Sequence, residues 1–81
     1  MFTVKRERTG RILNANFDHD TTVLSTFKTR AEAEAEVRSR RKAQGEYYGD
    51  NAVFNGPDED FTVTISKPDY NVTEHFYVEE G

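Results

Sequence analysis

Thr29-Arg30-Ala31-Glu32-Ala33-Glu34-Ala35-Glu36-Val37-Arg38 is the stretch that decides the fold. Its Ala-Glu alternation has the period of a strand. Ala and Glu are nevertheless strong helix formers and poor strand formers, so propensity predicts a helix. Thr29 and Glu32 have the spacing of a capping box, in which the Thr29 hydroxyl accepts a hydrogen bond from the Glu32 amide. Glu34 with Arg38 and Glu36 with Arg40 form favourable i,i+4 pairs, each worth about 0.2–0.5 kcal/mol. Acids in the first half and Arg38, Arg40, Arg41 and Lys42 in the second suit the helix dipole, and Gly45 suits the position just past the end. The expectation is one helix over residues 30–44. Val37 is its only large aliphatic residue, so the helix buries little area on its own.

Working outward, the flanking segments alternate with period two. Phe2 to Arg8 reads as a strand with Phe2 and Val4 on one face. Thr9-Gly10 is a two-residue turn signal before a second strand over Arg11–Asn16. Asp18-His19-Asp20 reads as the next turn, and Thr21–Phe27 as a third strand rich in β-branched and aromatic residues. After the helix, Tyr47-Tyr48 and Ala52-Val53-Phe54 suggest an interrupted strand. Asn55-Gly56-Pro57-Asp58 is a turn cluster. Phe61, Val63 and Ile65 point one way along a further strand, with Thr62, Thr64 and Ser66 on the other side. Lys67-Pro68-Asp69-Tyr70-Asn71 turns the chain into a last strand that buries Phe76 and Val78. The expected fold class is α+β: a small antiparallel sheet with a single helix on one face, in the order β-β-β-α-β-β-β.

The chain has 81 residues, enough for one domain. It contains no cysteine, which excludes a disulfide framework and a thiolate metal site. A domain this small without either staple relies on packing or self-association, which predicts a homodimer. Aromatic residues make up 12% of the chain and the apolar residues fall in periodic blocks bounded by turn residues, which favours a fold over disorder. No apolar run reaches the roughly 18 residues of a membrane span, and the N-terminal residues lack an apolar signal stretch. The expectation is a cytoplasmic protein that does not engage membranes.

Charge is unevenly distributed. Residues 1–45 carry ten Lys/Arg against six acids, whereas residues 46–81 carry one lysine against nine acids. The halves therefore hold formal charges of +4 and −8 within a total of −4. Such asymmetry suggests electrostatic contact with a partner.

Catalytic chemistry has few candidates. His19 between Asp18 and Asp20 has groups that bind metals or move protons, but a metal site needs three or four converging ligands. The other histidine, His75, stands beside Glu74 on an exposed strand face. Asp58-Glu59-Asp60 lacks the ordered loop of an EF-hand. No phosphate loop, nucleophile elbow or reactive cysteine is present. The reading is a non-enzymatic protein without metal or cofactor.

Two binding surfaces remain. Asp58, Glu59, Asp60, Glu74, Glu79 and Glu80 could form an acidic face for a basic protein partner. Small acidic inhibitors from phages and mobile elements, anti-CRISPR proteins among them, work in this way, and the likeness here is one of size and charge without a shared motif. Alternatively, Lys5, Arg6, Arg8 and Arg11 on the first hairpin join Arg38, Arg40, Arg41 and Lys42 on the helix. Together they would contact phosphates while Tyr47 and Tyr48 stack on bases. The low isoelectric point, about 5.1, favours the acidic reading.

Overall fold

The computed structural model describes residues 1–12 and 15–81, and for Ile12 and residues 15–18 the backbone alone. Among the described residues five strands and one long helix follow in the order β1 (Phe2–Ile12), β2 (Ala15–Phe27), α1 (Arg30–Tyr48), β3 (Ala52–Asn55), β4 (Phe61–Lys67) and β5 (Tyr70–Glu80), with a 3₁₀ turn at Gly49–Asn51. All pairings are antiparallel and the sheet order is β2-β1-β5-β4-β3. This is the expected α+β class with one helix on one sheet face. No helix of the described residues is long and apolar enough to cross a membrane.

Two strands, not three, precede the helix. Thr9-Gly10 is not a turn, because β1 runs through it in unbroken register with β5 from Phe2↔Glu80 to Ile12↔Tyr70. Asp18-His19-Asp20 likewise lies inside β2, where a register shift against β1 between Arg8 and Gly10 takes up the irregularity. The expected strand Arg11–Asn16 includes Leu13 and Asn14, which lie outside the described residues. Gly10 is needed for a different reason from a turn. Its φ is +144°, and a Cβ there would stand 2.2 Å from the Asn71 carbonyl oxygen and 2.8 Å from the Val72 Cα. Only glycine lets β5 approach β1 this closely.

The helix begins as the cap predicts. Thr29 is extended, its hydroxyl accepts from the Glu32 amide at 3.3 Å, and it donates to the Glu32 carboxylate at 2.8 Å. It ends later than expected. Gly45 lies inside the helix, and the chain leaves it at Gly49, whose φ is +54° and whose amide donates to the Gly45 carbonyl. Tyr47 and Tyr48 are therefore helical, not part of a strand. Arg38 to Lys42 sit at mid-helix, and the last turn carries no basic residue. Glu36 pairs with Arg40 at 2.9 Å, whereas Glu34 reaches back to Arg30 at 3.9 Å in place of Arg38.

Ala33 and Val37 are the buried residues of the helix. They rest on Val4, Phe61, Val63, Ile65 and Phe76, with the Phe61 and Phe76 rings stacked at 5.0 Å. Fully burying such side chains stabilises the fold by roughly 1.5–3 kcal/mol each, which offsets the small contact made by alanine. The other sheet face carries Thr3, Lys5, Glu7, Thr64, Thr73, His75 and Tyr77, as alternation from the buried positions requires. That face is polar, so it needs no second layer.

Gly45→Ala is expected to raise stability by about 0.5–1 kcal/mol, since helix propensity improves and the added Cβ meets only the Phe54 ring at 3.8 Å. Gly10→Ala should lower it by more than about 2 kcal/mol through strain and backbone collision. Urea midpoints of the two variants check both signs.

Candidate functional site

The turn before β4 and the end of β5 lie side by side, because Phe61 pairs with Phe76 and the chain extends from both in the same direction. Asp58, Glu59, Asp60, Glu79 and Glu80 consequently converge at one end of the sheet, all but Glu59 exposed. Each of three acids there has a basic neighbour. Asp58 pairs with Arg41 at 3.2 Å, Asp60 with His75 at 2.6 Å and Glu79 with Lys5 at 2.7 Å.

Glu74 does not belong to this face. It is only 3% exposed, points into the helix-covered side of β5 and faces Arg6 at 3.7 Å, beyond hydrogen-bond length. Strand alternation decides this, since Val72, Glu74 and Phe76 share one side. Burial pushes the Glu74 carboxyl above the usual carboxylate range, and the nearby Arg6 and Arg8 only partly oppose it.

The basic residues do not form one patch. Lys5 and Arg11 project from the open sheet face, and Arg6 and Arg8 from the helix side. Arg8 pairs with Asp20 at 3.4 Å. Arg41 lies against the Phe54 ring at 4.5 Å. Lys5, Arg6 and Arg41 all reach acids of the C-terminal half. Much of the charge asymmetry seen along the sequence is thus answered within the molecule, because β1 and β5 are neighbours.

On the open face the histidines are held by carboxylates. His19 Nε2 lies 3.0 Å from Glu7, whose other oxygen accepts from the Tyr77 hydroxyl at 2.7 Å. His75 stacks on Tyr77 with ring centres 4.7 Å apart. The Tyr77 hydrogen bond, then His19, holds the Glu7 carboxyl below its ordinary value, and the same bond pushes Tyr77 up to about 12. His19 is therefore a strand residue and not part of a solvated turn. Among the described residues no three His, Cys, Asp or Glu side chains gather as metal ligands.

The helix C-terminus carries a feature that the sequence only half disclosed. Tyr47, Tyr48, Tyr70 and Lys67 line a cleft of about 170 Å³. Tyr48 stacks on Tyr70 at 6.3 Å and meets Tyr47 edge to face at 4.7 Å. Burial, then a hydrogen bond with Tyr70, pushes the Tyr48 hydroxyl up to about 12. Tyr47 is 78% exposed. Tyr70 and Lys67 were missed because they flank a turn. The signal available was that β4 and β5 must end beside the helix that covers them.

No protein family, curated protein or solved structure matches the chain.

Glu74 yields a prediction with a definite sign. Its folded pKa is raised, so above about pH 4.5 the unfolded chain has released a proton that the folded chain still holds. Stability is then lost as pH rises through the folded value. Glu74→Gln removes this loss, so thermal melts should show the variant gaining on the parent as pH rises above about 4.5.

Proposed function

We propose that the chain is a non-enzymatic protein-binding module that presents carboxylates to a basic partner. A small acidic inhibitor or regulator of a nucleic-acid-handling protein, of the phage anti-defence kind, would work in this way. The observation that carries the reading is the convergence of Asp58, Glu59, Asp60, Glu79 and Glu80 at one end of the sheet. Their basic partners are Arg41, Lys5 and His75, fewer than the five acids, so the end stays net negative. Glu59 and Glu80 form no ion pair with any described residue. A field of this sign speeds encounter with a basic surface and is screened within about 10 Å at 0.1 M salt.

The binding is expected to depend on the acids and not on the helix arginines. Replacing Asp58, Glu59 and Asp60 by lysine should slow association with the partner recovered by affinity capture and flatten its salt dependence. Folding should survive, since the exposed pairs lost contribute only about 0–1 kcal/mol each. Replacing Arg38, Arg40 and Arg41 by glutamate should leave that association intact. Stopped-flow association rates check both. If the arginine variant fails and the acidic variant does not, with matching loss of binding to a labelled oligonucleotide, the chain is a nucleic-acid-binding accessory protein.

A further inference from the structure

An ammonium group already rests on one ring of the cleft at the end of the helix. Lys67 Nζ lies over the Tyr48 ring, 5.3 Å from its centre, and Lys67 lines the cleft together with Tyr47, Tyr48 and Tyr70. The rings present two orientations to this space. Tyr48 and Tyr70 are near parallel at 20°, while Tyr47 stands at 81° to Tyr48. Aromatic faces set at an angle surround a cation with the negative part of their quadrupoles. Glu46 and Asp69 stand next to lining residues in the chain and Asp50 two residues from one; all three are exposed, and none is within ion-pair distance of a described cation.

We propose that this cleft is a receptor for a lysine side chain of a basic partner protein, with Lys67 as its resident competitor. The argument for the occupant is chemical. The rings bind cations through their faces, the flanking carboxylates supply the complementary field, and the chain's own lysine shows that an alkylammonium fits. Lys67 is the exposed last residue of β4, beside the turn, and has a flexible stem, so it can leave when a better-placed ammonium arrives. A methylated lysine suits the site better than a plain one, because methylation keeps the charge while lowering the cost of removing water. The cleft is distinct from the acidic end, and the choice of a protein lysine over a free amine rests on the reading of a basic protein partner.

The test uses the full chain and a short Gly-Ser peptide with one central lysine, either unmodified, trimethylated or acetylated. Ring resonances of Tyr47, Tyr48 and Tyr70 are followed by NMR. The trimethylated and unmodified peptides should shift them, the former at lower concentration, and the acetylated peptide should not. Lys67→Met removes the competitor and should tighten binding roughly two- to fivefold. Tyr48→Leu should abolish it, while Tyr48→Phe, which keeps the ring, should retain it and report that the fold is intact. Equal binding of the acetylated peptide, or weaker binding by Lys67→Met, would overturn the proposal. Shifts confined to Asp58–Asp60 would overturn it too, yet leave the acidic end as the partner surface. Loss of partner association in the acidic-end variant alone concerns that other reading and not this one.

Discussion

Everything in this fold depends on the pairing of β1 with β5, two strands from opposite ends of the chain. Their register runs without a break across eleven residue pairs. It places the N-terminal hairpin against the C-terminal half and so builds the floor on which Ala33 and Val37 rest. Closing so long a loop costs conformational entropy before any contact returns it. The pairing must therefore be well specified. Gly10 provides the close approach, Val4 and Phe76 provide buried contacts, and Lys5–Glu79 binds the cationic strand to the acidic one.

That pairing changes what the charge asymmetry means. A chain that is basic at one end and acidic at the other suggests surfaces of opposite sign. Antiparallel neighbours instead bring opposite charges together across the strands, where cross-strand pairs stabilise the sheet. What stays on the surface is the remainder. One part is the cluster of carboxylates beyond Phe61 and Phe76. The other is the set of acids near the tyrosines in sequence that form no ion pair with a described residue, at the helix end where Lys67 lies over the Tyr48 ring.

The helix start, the inward positions of β4 and β5, and the turn at Asn55–Asp58 were legible in the sequence, because each rests on local chemistry. A cap, an alternation and a Gly-Pro turn act within a few residues. The errors occurred where a distant segment decided the outcome. Gly10 resembles a turn residue until Asn71 is placed against it. Gly45 resembles a helix end, but Phe54 lies alongside it and Gly49 takes the left-handed conformation instead. Glu74 is the exception, because alternation with Phe76 along β5 already places it inward and only its charge makes it resemble a surface acid. The tyrosine cleft was half legible: the Tyr47-Tyr48 pair stood out, while Tyr70 joins it only through the sheet.

Native-state hydrogen exchange tests the dependence on β1–β5 most directly. Amides of β1 from Val4 to Arg8 and of β5 from Val72 to Tyr77 should exchange slowest and at one common opening free energy, because these strands lose protection only when the whole domain unfolds. The edge strands β2 and β3 should open more readily. A β1 that exchanged together with β2 as a separately opening hairpin, while the helix, β4 and β5 stayed protected, would contradict the account.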